Sequence, residues 1–253
     1  MADTAVQGGG LEGARVRREL PRAFASNPLI AFWSTMIGKK VVMAVTGAVL
    51  VLFVIVHMLG NLRIFSGAAD INMYARFLRE MGQPEFGYGD LLWVVRSILL
   101  LCVVFHIIAA TQLTRLSWQA RPEGYRMRKN LESTFASRTM RWGGLLVLAF
   151  VIFHLLHFTV GAVGFKPGQY VELGVYQNVI AGFSLWPVSL FYIISMAALC
   201  LHLDHGIWSA FQTLGWSTTK NSRSLHIMSR LIAIVVFLGF ISVPVSVMAG
   251  WLH

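Results

Sequence analysis

Residues 41–59 have the sequence VVMAVTGAVLVLFVIVHML and contain no charged side chain. An apolar run of about 20 residues is long enough for an α-helix to cross the hydrocarbon core of a membrane. Four further apolar runs with few charges follow, at residues 91–113, 142–163, 185–211 and 231–252. The sequence therefore predicts an all-α integral membrane protein whose bundle has five transmembrane helices.

The composition of the whole chain agrees with a membrane protein. Its 253 residues are 56% hydrophobic and only 13% charged, and the mean hydropathy is +0.65. A soluble domain usually has about 25% charged residues, so this chain has too little polar surface for a soluble globule. We predict an N-terminal segment at residues 1–40 and a membrane domain at residues 41–253. Residues 1–30 of the N-terminal segment are rich in charged side chains and have no sustained apolar core, so they do not fit a signal peptide.

Basic residues are concentrated in alternate links between the predicted spans. They are frequent before the first span, in the link at residues 115–141, and between the fourth and fifth spans. Basic links face the cytoplasm, so we expect a cytoplasmic N-terminus, an outer C-terminus and a multi-pass protein of the inner (cytoplasmic) membrane. These links account for the net charge of +10, which therefore does not indicate a nucleic-acid partner. The link between the first two spans has a short helical pattern at residues 72–81.

Each of the first four predicted spans has a histidine: His57, His106, His154 and His202. Ionisable side chains within a span are costly and usually functional. His57 and His154 come late in spans that run outward, so we expect this pair near the outer face. His106 and His202 come late in spans that run inward, so we expect this second pair nearer the cytoplasm. Two pairs at two depths are what two stacked haems b need, because each iron takes one imidazole on either side of its ring.

Two more histidines, His157 and His205, each lie three residues after a proposed ligand and on nearly the same helical face. They are candidates for alternative ligands, haem-propionate partners or proton carriers. A hydrogen bond to a neighbouring helix is an equally good explanation of them. His226 and His253 fall outside the predicted spans and need no special role.

Four motifs carry a resemblance to a known family: VHMLGN at His57, FHIIA at His106, FHLLH at His154 and LHLDHGIWS at His202. From about residue 30 onward the chain resembles the cytochrome b membrane anchor of respiratory complex II. The similar class has a single five-helix subunit and occurs in succinate:quinone oxidoreductases and quinol:fumarate reductases. HGIWS after the fourth span is the most specific motif. The resemblance implies that the first and third of these histidines bind a distal haem, and the second and fourth a proximal haem.

The resemblance also implies partner subunits. A flavoprotein subunit would oxidise succinate, and an iron-sulfur subunit would dock on the cytoplasmic face of the anchor and pass electrons into the membrane. The anchor would supply the quinone site, in contact with membrane lipid. This chain has no dinucleotide-binding fingerprint and no soluble domain, so the succinate site would lie on a partner.

The two cysteines leave a second cofactor open at the proximal site. Cys102 and Cys200 precede His106 and His202 on the same two spans. Two cysteines with two histidines, His205 being an alternative to His202, are the ligand set of a Rieske [2Fe–2S] cluster. Cys102 and His106 share a helical face, whereas Cys200 and His202 lie roughly 200° apart around an ideal helix. A cluster would therefore require a local bulge in the fourth span, and buried free cysteines are commonly plain packing residues.

Quinone reduction requires an apolar slot, donors for the carbonyl groups and a route for protons. Polar and aromatic residues at both ends of the spans are candidates. On the cytoplasmic side they are Ser34, Lys39, Asp204, His205 and Trp208, and on the outer side Arg63, Tyr88, Trp93 and Arg96. Asp204 is the most informative of these, because an acid within a span needs a reason to be there.

Two other functions remain alternatives at this point. The chain could be the cytochrome b subunit of another quinone-linked enzyme, such as a formate dehydrogenase or a hydrogenase. In a different class, it could be a transporter or proton channel that uses its intramembrane histidines. A transporter would contain no iron, so visible absorption distinguishes it from the redox proteins.

Overall fold

The computed structural model describes residues 27–120 and 135–253, without the side chains of residues 136 and 137. The described residues form helices and loops and contain no β-strand. Five helices are long and apolar enough to cross a membrane, which confirms the predicted all-α transmembrane bundle. Most of the N-terminal segment predicted at residues 1–40, and most of the basic link at residues 115–141, lie outside the described residues.

The described chain has eight α-helices and two short helices of other types. The 3-10 helix Arg63–Ser66 follows the first long helix, and the π-helix Leu155–Val160 ends the third. The α-helices are α1 Pro28–Ser34, α2 Met36–Leu62, α3 Ala68–Glu80, α4 Asp90–Gln119, α5 Phe135–His154, α6 Val175–Phe183, α7 Trp186–Thr213 and α8 Ser222–Met248.

Side-chain caps define where the first two helices, α1 and α2, begin. The Asn27 side chain accepts a hydrogen bond from the Leu29 amide and so caps α1, and Thr35 caps α2 in the same way through the Gly38 amide. These bonds satisfy amides that have no partner within the helix. The Lys39 ammonium donates to the carbonyls that end α1, so it ties α1 to α2.

Several helix boundaries differ from the sequence predictions, and the largest difference is at the start of the last helix. Helix α8 begins at Ser222 and not near residue 231, so His226 lies inside a spanning helix and the prediction that it is outside was wrong. The short helix predicted at residues 72–81 is confirmed as α3, Ala68–Glu80. Helix α6, between the third and fourth spans, was not predicted. The structure thus adds a second short helix between spans.

The five spanning helices form two helix pairs and a fifth helix, α8, that packs on both. Helix α2 packs along α4, and α5 packs along α7, while contacts of α2 with α7 join the two pairs. Helix α8 covers α7 and α2. We call the boundary between the α2/α4 pair and the α5/α7 pair the seam.

Helices α3 and α6 pack together at one end of the bundle. The Tyr176 amide at the start of α6 donates to the Asn72 side chain in α3 (3.1 Å), and the Tyr176 hydroxyl donates to the carbonyl of His253 (3.2 Å). We call this the α3 end, and the opposite end the α1 end. Helices α2 and α5 therefore run toward the α3 end, and α4 and α7 run away from it.

Candidate functional site

The structure brings the four predicted ligand histidines together as the two predicted pairs. The rings of His57 and His154 have centroids 5.8 Å apart, and those of His106 and His202 are 6.3 Å apart. An imidazole nitrogen binds a metal at about 2 Å, so two rings that share one ion have centroids about 6 Å apart. Each pair takes one histidine from the α2/α4 side of the seam and one from the α5/α7 side. Both pairs therefore have the spacing that a shared iron requires.

Two glycines reveal how far apart the pairs lie. The ring of His106 lies against Gly47 of α2, where an added Cβ would be 3.3 Å from the ring, and the ring of His202 lies against Gly144 of α5, at 3.7 Å. In both helices the other pair's histidine comes ten residues later, as His57 and His154. Ten residues of α-helix rise about 15 Å. The two pairs thus lie at two depths about 15 Å apart.

The hydrogen bonds of His106 determine which of its nitrogens is available to a ligand. Its Nδ1 lies 3.2 Å from the carbonyl oxygen of Met43 and 3.3 Å from the Thr46 hydroxyl. A carbonyl only accepts, so Nδ1 carries the hydrogen and the neutral ring leaves the lone pair on Nε2. This is the tautomer that a metal ligand needs, held by the kind of outer partner that ligating histidines usually have.

His202, the partner of His106, has a polar atom without a hydrogen bond. Its Nδ1 is buried and has no hydrogen-bond partner among the described residues. A buried polar atom without a partner is costly and calls for an explanation. Coordination of a metal by Nδ1 itself would supply one, whereas coordination by Nε2 would leave the Nδ1 hydrogen still in need of an acceptor.

The pair at the α3 end lies among aromatic rings. Phe53 stacks on His57 at 5.2 Å, and Phe150 lies 5.6 Å from His154. The Tyr192 hydroxyl of α7 is 3.2 Å from Nδ1 of His154. An apolar, aromatic surrounding, with one hydroxyl at Nδ1 of His154, suits a buried haem. The residues of both pairs therefore fit the haem that the sequence predicts.

The two cysteines lie differently from the histidines. Cys102 and Cys200 are both half-buried free thiols. Cys200 packs against an apolar cluster that includes Met58 and Ala233, on the side of α7 that faces α2 and α8. Within the described residues, no group of three or more His, Cys, Asp or Glu side chains is arranged to hold a metal ion. The Rieske cluster stays a prediction that would need Cys200 to turn away from this packing.

Three quinone candidates on α7 lie together at the α1 end, with two residues of α8. The Asp204 carboxylate is 3.7 Å from the Arg230 guanidinium. The indole of Trp208 stacks on the His226 ring at 4.0 Å and lies 6.2 Å from His205. The indole N–H of Trp208 is buried and has no hydrogen-bond acceptor among the described residues. It is therefore a free donor in this group.

The other quinone candidates, apart from Tyr88, are engaged in contacts within the chain. The Ser34 hydroxyl donates to the Ala31 carbonyl, and Lys39 joins α1 to α2 as described above. At the α3 end, both oxygens of Asp70 accept from Arg63, at 3.1 and 3.2 Å. The Arg96 guanidinium lies 5.1 Å from the ring of the exposed Trp93, and Tyr88 is also exposed. These contacts give each residue except Tyr88 a structural partner.

Several residues at these sites were not singled out from the sequence. They include Gly47, Gly144, Tyr192, Arg230 and His226. The sequence contains a signal for the two glycines. Gly47 comes ten residues before His57 in α2, and Gly144 comes ten residues before His154 in α5. Tyr192 had no such signal, since its contact depends on how α7 packs against α5.

No protein-family model, no characterised protein and no solved structure was found to match this chain.

Proposed function

We propose that this chain is the membrane-anchor subunit of a succinate:quinone oxidoreductase, or complex II, that it holds two haems b inside the bilayer, and that it passes electrons to quinone. The observation that carries the proposal is that two pairs of histidines, His57–His154 and His106–His202, meet across the seam. Their ring separations of 5.8 and 6.3 Å suit two bis-histidine irons. The motifs around these histidines support the choice of complex II over another quinone-linked enzyme.

In this proposal His57 and His154 hold the haem at the α3 end, and His106 and His202 hold the haem nearer the α1 end. Bound haem supplies a one-electron carrier inside the bilayer. The chain supplies the ligands and their orientation: Met43 keeps the Nε2 lone pair of His106 free for iron. Gly47 and Gly144 let the rings of His106 and His202 approach the neighbouring helices closely.

Haem is the better candidate than a Rieske cluster at the His106–His202 site. A cluster needs two thiolates and two imidazoles on one center. Cys200 packs with Met58 and Ala233, whereas His202, two residues later, faces Gly144 and His106. This is the divergence expected for two residues roughly 200° apart on an α-helix. The arrangement suits two imidazoles at this site and leaves Cys200 as a packing residue.

For quinone we favour the group at the α1 end over the remaining candidates. Trp208 offers a free N–H for a quinone carbonyl, and His205 and His226 lie beside it as carriers for the protons that reduction consumes. Asp204 and Arg230 form an ion pair on the same two helices. Ser34, Lys39 and Arg63 are bound to other groups of the chain, which makes them weaker candidates.

We place the protein in the inner (cytoplasmic) membrane. Its α1 end then faces the cytoplasm and its C-terminus faces the outside. This orientation rests on the basic residues of the sequence. The iron-sulfur subunit, with the flavoprotein attached, would then dock at the α1 end. The His106–His202 pair would receive electrons first.

Purification of the tagged chain from its native membranes tests the proposal. We expect a flavoprotein and an iron-sulfur protein to copurify, with succinate:quinone activity. The double variant His106→Ala/His202→Ala should abolish quinone reduction while the soluble subunits still oxidise succinate with an artificial acceptor. His253→Ala is the matched control, because its ring forms no pair and quinone reduction should persist. Isolation of the chain alone, stable and without associated redox subunits, would contradict the proposal.

A further inference from the structure

The hydroxyl of Tyr192 lies between two histidines near the α3 end. It is 3.2 Å from Nδ1 of His154 and 2.9 Å from Nδ1 of His157. Tyr192 is buried and comes from α7, whereas both histidines belong to the third span. His157 is fully buried, so water cannot substitute for the hydroxyl at its Nδ1.

The hydrogen-bonding capacity of these groups favours one assignment when His154 is a ligand. With iron on the lone pair of Nε2, Nδ1 of neutral His154 would carry the hydrogen and donate to the Tyr192 oxygen. The one hydrogen of that hydroxyl then has Nδ1 of His157 as its acceptor. This places the His157 hydrogen on Nε2, which is buried and has no hydrogen-bond partner among the described residues.

The packing around His157 holds its ring in place, with Nδ1 toward Tyr192. Its ring stacks on Phe158 at a centroid distance of 3.9 Å. Its Nε2 edge faces two glycines: an added Cβ on Gly164 would lie 2.8 Å from Nε2, and one on Gly182 would lie 2.7 Å from Cε1. The ring is therefore enclosed on the side away from Tyr192. This argues against His157 as an iron ligand in its own right.

We propose that Tyr192 and His157 are positioning residues that hold His154 in the ligand tautomer and orientation. The inference rests on the proposed haem site and deepens it. Accepting the Nδ1–H bond makes the His154 ring a stronger electron donor, which favours ferric iron. Tyr192 thus influences the balance between ferric and ferrous iron at this site. The two sites differ in this respect, because at His106 the acceptor of the Nδ1 hydrogen is the Met43 backbone carbonyl.

Tyr192→Phe in the complete complex tests the inference, because it removes the hydroxyl and keeps the ring. Outer partners of this kind change metal affinity about tenfold or more. A tenfold loss of preference for ferric iron raises the midpoint potential of a one-electron couple by about 59 mV. We expect a rise of this size in a redox titration for the His57–His154 haem and no shift for the other. Tyr176→Phe, which removes a hydroxyl bound to the C-terminal carbonyl at the same end, should shift neither.

A second variant, His157→Phe, tests the role of His157 in the same redox titration. We expect it to keep both b-type absorption bands and to move the same potential in the same direction as Tyr192→Phe. Loss of that haem in His157→Phe would identify His157 as a ligand and overturn the inference. Unchanged potentials in Tyr192→Phe would also overturn it while leaving the haem proposal intact. A wild-type complex with no b-type absorption would overturn both.

Discussion

Gly182→Ala is a sharp test of the packing at the α3 end. Gly182 lies in the last turn of α6, with its Cα against the edge of the buried His157 ring. A Cβ built at this position would overlap Nε2 and lie 2.7 Å from Cε1. The ring cannot turn aside, because Phe158 covers one of its faces and Tyr192 binds Nδ1. Either α6 or the ring must move.

The expected cost follows from two opposing effects. Adding a methyl group to a closely packed site usually costs about 1–3 kcal/mol. Replacing glycine by alanine inside a helix stabilises by up to about 1 kcal/mol, and less near the helix end, where Gly182 lies. We therefore expect Gly182→Ala to lower the free energy of unfolding by about 1–2 kcal/mol. Gly206→Ala in α7 is the matched control, because no atom lies within 4 Å of its added Cβ, and it should not destabilise.

Unfolding of the purified complex in detergent, followed by circular dichroism, measures both variants against the wild type. A double-mutant cycle isolates the contact, since His157→Ala removes the ring that the new methyl group meets. In the His157→Ala background, Gly182→Ala should cost less than about 0.5 kcal/mol. An equal cost in both backgrounds would refute the contact as the cause.

Three further predictions concern other parts of the chain. Asn178→Ala removes two hydrogen bonds to the backbone of Val171, at 2.9 and 2.7 Å, and should destabilise by about 1–2 kcal/mol in the same unfolding assay, whereas loss of no more than a few tenths would contradict it. An Ala120→Cys variant should resist a membrane-impermeant maleimide added outside intact cells and react after permeabilisation; labelling from outside would reverse the proposed orientation. Cys102→Ser and Cys200→Ser should leave b-type absorption unchanged, and loss of a paramagnetic iron-sulfur signal in either variant would favour the Rieske cluster.

The fold was largely predictable because the membrane imposes it. A span must satisfy its own backbone hydrogen bonds, so five long apolar runs could only be five helices. The end of each helix was less predictable, since polar ends extend beyond the apolar core. Helix α8 starts with the polar sequence SRSLHIMSR, which hydropathy excludes although it is helical, and this led to the error over His226.

The pairing of the histidines was predicted from span direction and from their late positions in the spans. In the structure the ring of His57 lies beside that of His154, and the ring of His106 lies beside that of His202. What surrounds the rings was not predicted. Tyr192 contacts His154 because of the rotation of α7 about its axis, which no residue pattern in α5 specifies. Helix α6 was missed because its nine residues lie in a link, where neither length nor periodicity distinguishes it.

The difference between Cys200 and His202 shows what helical geometry alone can settle. Their angular separation predicted that a straight helix would not present both to one site. The structure has a regular α-helix through both positions, with no bulge between them.

The most direct test of the central claim is haem content per chain, from the reduced-minus-oxidised visible spectrum and extracted haem of the purified complex. The account predicts two haems b in the wild type. It predicts one in His57→Ala, with the loss at the α3 end, and one in His106→Ala, with the loss at the other site. His253→Ala should retain two. Absence of b-type absorption from the wild-type complex, or two haems remaining in either ligand variant, would contradict the account.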